Sequence, residues 1–212
     1  MKKILWKILH FLRLAAFIQL SYKGILDELG WLKSFYKKQS IDRDGNPIPW
    51  CTYSFIYFIS GKLNKTMNVF EFGSGNSTIW YASRVNSIIA VEHNKNWINL
   101  IQPKLPANAK LVFKELEYDG QYCRTSGNDG IKYDIIIIDG RDRNNCVINS
   151  IHNLKDNGVI ILDNSQRKTY QISFEFLVEK NFKFIDFYGL CPGVAQLSRT
   201  TVFYREANCL NI

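Results

Sequence analysis

From Asn68 onward, two spacings of apolar residues alternate along the chain. Short runs rich in β-branched residues predict strands, and the longer amphipathic stretches between them predict helices. The predicted strands are 68–72, 87–92, 110–116, 133–139, 158–163, 182–188 and 200–204. The predicted helices are 54–63, 77–84, 95–102, 144–154 and 170–180. This alternation is typical of an α/β protein with a doubly wound sheet.

Two segments refine that prediction. Apart from Asp134 and Asp139, residues 133–139 are apolar without alternation, as expected of a central parallel strand that is covered on both faces. The last two strands are joined by residues 189–199, a predicted loop with Pro192 and two glycines in which no helix fits. The sequence therefore predicts a Rossmann-like, doubly wound, seven-stranded sheet that ends in a C-terminal antiparallel hairpin. Such a hairpin argues against a plain dinucleotide dehydrogenase.

The length of 212 residues suits one α/β domain with a short extension. Two prolines and an Asp-Gly step in the segment 42–49 interrupt any continuous helix. We therefore expect a basic, apolar, helical arm over residues 1–44 and a single folded domain over residues 45–212.

The basic charge is concentrated in that arm. The chain has a net charge of +8, and its first forty residues carry eight Lys or Arg against Asp27 and Glu28, which is +6. An enzyme of nucleic acid more often spreads basic charge around its cleft, so we expect no nucleic-acid partner. The excess favours an anionic membrane surface or an acidic partner.

Residues 1–20 leave two interpretations open. Lys7, His10 and Arg13 interrupt the apolar residues, so the segment is too polar to span a bilayer, and no signal-peptide cleavage site follows it. It is either a helix packed on its own domain or on a second subunit, or an interfacial helix in peripheral contact with a membrane. The five scattered cysteines form no Cys-x-x-Cys pair, which favours reduced thiols and a cytoplasmic protein. Under the second interpretation, this cytoplasmic protein would lie peripherally at the inner membrane face.

A glycine-rich turn follows the first predicted strand, in the segment Glu71-Phe-Gly-Ser-Gly-Asn-Ser-Thr78. Gly73 and Gly75 allow the backbone to approach a ligand closely, and amides at the start of the next helix can bind an anionic group. Thr78 stands where a dinucleotide-binding fingerprint has its third glycine, which disfavours a nicotinamide cofactor. An acidic residue, Glu92, ends the second strand about twenty residues later, where it can accept hydrogen bonds from ribose hydroxyls.

These motifs carry a resemblance. The Glu71-x-Gly-Ser-Gly-x-Ser-Thr segment, followed by Val91-Glu92-His93 and Trp97, resembles the class I methyltransferases that depend on S-adenosyl-L-methionine (SAM). It is most similar to a group of bacterial members associated with surface-glycan gene clusters, and residues 45–50 share that similarity. The resemblance covers residues 45–205 and implies SAM as cofactor. By this resemblance Glu71, Gly73, Gly75 and Glu92 bind the cofactor, and adenine lies near residues 116–118. The other predicted cofactor contacts in the same two segments are Ser74, Asn76, Ser77 and His93.

A third group of polar residues follows the fourth and fifth strands. Asp139, Arg141 and Arg143 follow one, and Asp163 and Asn164 follow the other, so they should meet at one edge of the sheet. The pattern of these residues is similar to that of the metal-dependent O-methyltransferases of the caffeoyl-CoA type. By this resemblance, Asp139, Asp163 and Asn164 would bind a divalent cation. The two arginines disfavour a cation, and Arg141 or Arg143 could instead bind an acidic acceptor. The catalytic residues are predicted to be Asp139, nearest the transfer, and Arg143.

The function expected from these observations is SAM-dependent methyl transfer, with O-methylation of a small or glycan-linked acceptor. The alternative is a protein that binds SAM without turnover, or an adapter held at a membrane by its arm.

Overall fold

The computed structural model of the protein describes residues 2–128 and 130–212. Met1, in the predicted arm, and Asp129, in the predicted domain, lie outside the described residues. The strands are β1 (Asn68–Phe72), β2 (Ser87–Glu92), β3 (Ala109–Phe113), β4 (Tyr133–Ile138), β5 (Leu154–Leu162), β6 (Lys183–Cys191) and β7 (Val194–Tyr204). They form one sheet in the order β3-β2-β1-β4-β5-β7-β6. Strands β1 to β5 are parallel, and β7 is antiparallel to both β5 and β6. The predicted fold class is confirmed.

Ten α-helices and four short 3-10 helices accompany the sheet in the described residues. The α-helices are α1 (Lys2–Phe11), α2 (Ala15–Ser21), α3 (Ile25–Glu28), α4 (Trp31–Lys37), α5 (Tyr53–Ser60), α6 (Asn76–Ala82), α7 (Lys95–Ile101), α8 (Gln121–Arg124), α9 (Arg143–Ser150) and α10 (Gln171–Glu179). No helix within residues 2–128 and 130–212 is both long enough and apolar enough to cross a membrane.

The sheet has a hydrophobic core on each face, and β4 contributes to both. Every residue of β4 is buried. Ile135 and Ile137 pack into one core, while Ile136 and Ile138 pack into the other, because successive side chains of a strand point to opposite faces. The run of apolar residues without alternation is thus explained by a strand covered on both sides, as predicted.

The predicted loop 189–199 is wrong for most of its length. Strand β6 continues to Cys191 and β7 begins at Val194, so only Pro192 and Gly193 connect them. Gly193 has φ +66, and a proline followed by a glycine with positive φ is the residue preference of a type II turn. The proline and the glycines indicate where the chain reverses, but they do not indicate how many flanking residues belong to strands. Here all of residues 189–199 except Pro192 and Gly193 belong to β6 or β7.

The helices of the predicted arm differ in how they contact the sheet domain. Trp31 of α4 donates a hydrogen bond from Nε1 to the carbonyl oxygen of Val194 at 3.0 Å. A Cβ on Gly193 would lie 2.8 Å from the backbone nitrogen of Phe35, so α4 packs closely against the β6–β7 turn. Helices α1 and α2 instead leave most of their large apolar side chains exposed. The division at residue 44 stays a prediction.

Candidate active site

The glycine turn after β1 is held against two neighbouring strands. The backbone N–H of Gly73 donates to the carbonyl oxygen of Val91 in β2 at 2.9 Å. Gly73 has φ +101, and a Cβ there would lie 3.2 Å from the backbone of Gly140, which follows β4. A residue with a side chain would be strained in this conformation and would crowd Gly140. Glycine at position 73 therefore lets the turn lie between the carboxyl ends of β2 and β4.

Glu71 supports this turn from inside the protein. Its buried carboxylate accepts hydrogen bonds from the hydroxyls of Ser77 and Thr78, the latter at 2.5 Å. Thr78 Oγ1 in turn accepts the backbone N–H of Gly75 at 3.0 Å. Burial raises the pKa of Glu71 to about 7, against the effect of the two hydroxyl donors. The carboxylate of Glu71 thus fastens the start of α6 to β1.

Only part of the predicted cofactor segment faces open space. Among the described residues, Gly73 and Ser74 line a cavity, whereas Glu71, Gly75, Asn76 and Ser77 do not contribute to its wall. The Asn76 amide donates to the carbonyl oxygen of Ser40 at 2.8 Å. Direct contacts of these four residues with a cofactor stay a prediction, and their observed contacts shape the turn.

Glu92, at the end of β2, lies on the cavity wall together with His93. One carboxylate oxygen accepts the backbone N–H groups of His93 and Asn94 at 2.8 and 2.9 Å. The other accepts the Ser74 hydroxyl at 3.2 Å. These three donors hold the carboxylate in one orientation at the cavity edge, where it retains lone pairs for a ligand hydroxyl. Glu92 and His93 lie beside the glycine turn, and their contact with a cofactor stays a prediction.

Two cavities meet beside Asp139. The first has a volume of about 800 Å³ and extends from the glycine turn and Glu92 to Tyr170. The second has a volume of about 490 Å³ and extends from Asp163 and Asn164 to Ser198 in β7. The residues common to both walls are Trp50, Asp139 and Arg167. Asp139 therefore lies where a ligand in the first cavity could meet a ligand in the second.

Arg143 contributes to the wall of the first cavity, but its guanidinium bonds to oxygens of the protein itself. Its guanidinium donates to the backbone oxygens of Gly140, Asp139 and Asp163, at 3.0 Å and 2.9 Å for the first two. It also donates to Asp139 Oδ1 at 3.1 Å. Arg143 is buried by these contacts, whereas Arg141 and Arg167 are exposed on the cavity walls. The prediction that Arg143 grips an acceptor stays untested, and its contacts favour a role in joining the ends of β4 and β5.

Asp139 and Asp163 are neighbouring carboxyl groups, and each has a raised pKa. Burial, and then the nearby charge of Asp163, raise the pKa of Asp139, while Arg143 opposes the rise. Burial likewise raises the pKa of Asp163, against the effects of Arg143 and of Thr200, whose hydroxyl donates to Asp163 Oδ1 at 2.7 Å. The pair consequently binds protons more readily than carboxyl groups in water do.

Asp139 and Asp163 also form part of a potential metal-binding group with Cys51. Ligand atoms of the three residues lie within 4.8 Å of one another. However, burial raises the pKa of the Cys51 thiol well above its usual range, which disfavours the thiolate that a metal would need. The guanidinium of Arg143 already supplies a positive charge next to Asp139. The donor set is thus a poor fit for a divalent cation, and Asp139, Asp163 and Asn164 as metal ligands stay an alternative prediction.

Sequence reasoning missed several residues of the cavity walls as site residues, among them Trp50, Arg167 and Tyr170. Trp50 precedes α5, and Arg167 and Tyr170 follow β5. Open α/β sheets bind ligands beyond the carboxyl ends of their strands, so the segment after β5 carried a usable signal for Arg167 and Tyr170. Trp50 comes from before the first strand, and no strand-end rule predicts it.

No family model and no curated protein matches the sequence. The structure is similar to that of precorrin-6y C5,15-methyltransferase from Geobacter metallireducens GS-15, with a TM-score of 0.57, 17% identity, and 71% of this chain and 86% of that chain covered. It is similar to the O-methyltransferase TomG from Streptomyces achromogenes, solved in complex with SAM, with a TM-score of 0.57, 12% identity, and 70% and 77% covered. It is also similar to the N-methyltransferase NodS from Bradyrhizobium japonicum WM9, with a TM-score of 0.51, 11% identity, and 70% and 92% covered. The chain therefore has the fold of the class I SAM-dependent methyltransferases.

Proposed function

We propose that this protein is a methyltransferase that uses SAM to methylate a hydroxyl group of a small or glycan-linked acceptor. The observation that carries the proposal is the meeting of the two cavities at Asp139. A transfer enzyme must hold two ligands with their reacting atoms in contact. One cavity beside the glycine turn and a second cavity across Asp139 supply that arrangement.

The first cavity suits the cofactor. Its volume of about 800 Å³ lies within the range of small-molecule sites, about 300–1,000 Å³. Glu92 would accept the ribose hydroxyls, Gly73 and Ser74 would lie against the amino-acid portion, and Tyr118 on the same wall would face the base. SAM, when bound, supplies an already activated methyl group. The chain's own residues must therefore position the acceptor and remove one proton.

Asp139 is the residue proposed to take that proton. Its position between the cavities brings its carboxylate to the acceptor, and Arg143 fixes its orientation through the bond to Oδ1. A general base is most effective when its pKa lies near the working pH. Burial beside Asp163 moves the pKa of Asp139 upward in that direction. The indole of Trp50, on both walls, would limit the access of water.

The second cavity is proposed to bind the acceptor. The amides of Asn164, Gln166 and Gln196 lie on its wall. Amide groups both donate and accept hydrogen bonds, so they match a ligand with several hydroxyl groups. Arg167, exposed on both walls, would bind an acidic group of the acceptor, the role that sequence reasoning assigned to Arg143. This set of side chains supports a polar, hydroxylated acceptor.

Binding of SAM tests the proposal directly. Isothermal titration calorimetry should show binding of SAM to the wild-type protein and none of NAD. In the Glu92→Ala variant the affinity should fall by tenfold or more, because a hydrogen bond to a charged group is worth about 1.5–3 kcal/mol. The matched control is Glu179→Ala, which removes an exposed carboxylate of α10 and should bind SAM as the wild type does.

Three results would contradict the proposal or a part of it. No binding of SAM to the wild-type protein would refute the proposed function. Unchanged affinity in Glu92→Ala would remove Glu92 from the site. Binding of SAM with no methylation of any hydroxylated acceptor would favour the alternative of a SAM-binding protein without turnover.

A further inference from the structure

The first two helices expose large apolar side chains. In α1, the exposed apolar residues include Ile4, Ile8 and Phe11, and in α2 they include Phe17 and Leu20. Phe11 is 88% exposed and Phe17 is 57% exposed. Single exposed apolar residues are ordinary, but a group confined to one short segment marks an interaction surface.

These side chains are ordered by the helical period. At about 100° per residue, Ile4, Ile8 and Phe11 fall within about 60° of one another on the surface of α1. Trp6 and His10 lie on another side of α1 and pack edge to face, with ring centroids 5.3 Å apart. In α2, Phe17 and Leu20 lie away from Ala15, which is buried. Each helix therefore presents an apolar side to the solvent.

The same segment is cationic. Lys7, Arg13 and Lys23 are exposed, and no acidic residue precedes Asp27 in the sequence. Asp27 itself pairs with Arg43, its Oδ2 lying 3.4 Å from the guanidinium. The apolar side chains are thus flanked by positive charges that have no carboxylate of their own segment to neutralise them.

We infer that residues 4–23, within the predicted arm, bind the surface of an anionic lipid bilayer. The apolar side chains would enter the boundary between headgroups and acyl chains, and the lysines and the arginine would contact lipid phosphates. The helices lie on the surface rather than crossing it, since none within the described residues is long and apolar enough to span. A second copy of the chain is a poorer occupant, because two basic arms would bring like charges together.

Vesicle flotation with the full chain tests the inference. The protein should float with phosphatidylcholine vesicles that contain about 30% phosphatidylglycerol, and not with pure phosphatidylcholine. Raising NaCl from about 0.1 M to about 0.5 M should weaken binding, since salt screens exposed charges. Replacing Lys7, Arg13 and Lys23 by glutamine should weaken it about fivefold per cation removed.

The apolar side is tested with a matched pair of variants. Phe11→Ser with Phe17→Ser should lower the partition coefficient by tenfold or more, because two large apolar side chains no longer enter the bilayer. The control is Tyr57→Ser with Ile172→Ser, which removes residues of α5 and α10 that are 69% and 56% exposed, and it should float as the wild type does. Unchanged circular dichroism shows that each variant folds.

Three results would overturn the inference. The first is equal flotation with neutral and anionic vesicles, which would exclude recognition of charge. The second is equal flotation of both serine variants. The third is no flotation at all together with a dimer, seen by light scattering, that Phe11→Ser with Phe17→Ser dissociates, which would make the surface an interface between copies. None of these results depends on SAM binding, so the inference fails or stands separately from the proposed function.

Discussion

At the scale of single residues, the charge balance around Asp139 decides the chemistry of the site. Asp139 and Asp163 are neighbouring carboxyl groups with raised pKa values, and Arg143 is the buried cation that contacts both residues. A buried cation next to two carboxyl groups performs the neutralising role that a metal ion would perform. Because the guanidinium is already in place, we expect the reaction to need no divalent cation.

Treatment with EDTA, together with replacement of Asp139, distinguishes a general-base mechanism from a metal-dependent one. Once a methyl acceptor has been identified, Asp139→Asn should slow turnover about 10²–10⁴-fold, which is the usual contribution of a general base. The wild-type rate should rise with pH through the raised pKa of Asp139, because only the deprotonated carboxylate accepts a proton. EDTA should leave the rate unchanged.

The matched control for Asp139→Asn is Asp156→Asn, which alters an exposed carboxyl group within β5, away from the strand's carboxyl end. It should leave turnover unchanged. Activity lost in EDTA and restored by magnesium would instead make Asp139, Asp163 and Asn164 metal ligands.

At the scale of elements, the site depends on the ends of four strands lying close together. The turn after β1 is bound to β2 through Gly73 and contacts Gly140 after β4. Arg143, at the start of α9, ties the end of β4 to the end of β5. A change in the glycine turn should therefore disturb both the packing of the strand ends and the shape of the first cavity.

Gly73→Ala tests this coupling. The added Cβ would lie 3.2 Å from Gly140, and alanine disfavours φ +101, so we expect a loss of stability of about 1–2 kcal/mol and weaker SAM binding. Chemical denaturation and calorimetry measure the two effects. Gly61→Ala is the control, because Gly61 has φ −84 and a Cβ there would meet no atom within 4 Å. It should be neutral or stabilising by about 0.4–1 kcal/mol, since alanine restricts the unfolded chain. Equal stability of the two variants would refute the crowding argument.

At the scale of the whole molecule, two buried carboxyl groups and the half-buried Asp139 make stability depend on pH. Glu71, Asp139 and Asp163 all have raised pKa values because of burial. A group whose pKa is higher in the folded state binds more protons there, so its contribution is largest below the unfolded pKa. That contribution is lost as the pH rises through the folded pKa. We therefore expect the free energy of unfolding to decrease from mildly acidic to neutral pH.

Glu71→Gln isolates one of these groups. Its pKa changes from 4.5 to about 7 on folding, so wild type should lose about 3 kcal/mol relative to the variant between pH 4.5 and pH 8, at about 1.4 kcal/mol per pKa unit. Urea denaturation at both pH values measures the difference. Glu115→Gln, at an exposed carboxylate, should show no such trend. A difference between wild type and Glu71→Gln that stays constant with pH would exclude a raised pKa at Glu71.

The pattern of residues was sufficient to predict the order and kind of the main elements. Strands β1 and β2 have the predicted bounds, Asn68–Phe72 and Ser87–Glu92, and β4 is the predicted central strand. These predictions succeed because the period of apolar residues reports directly which faces of an element are buried. Glu92 and the glycine turn were predictable for a related reason, since strand ends and turns have local signatures.

Only the tertiary structure decided which polar groups face the cavities. Glu71 turns inward to Ser77 and Thr78, and the guanidinium of Arg143 bonds to the chain's own oxygens. Trp50 and Arg167, far apart in the sequence, meet Asp139 at the boundary of two cavities. The sequence determines the chemical groups available, but a polar side chain bonds to whichever partner lies within about 3 Å. That distance depends on how the ends of separate strands pack together, which no local pattern records.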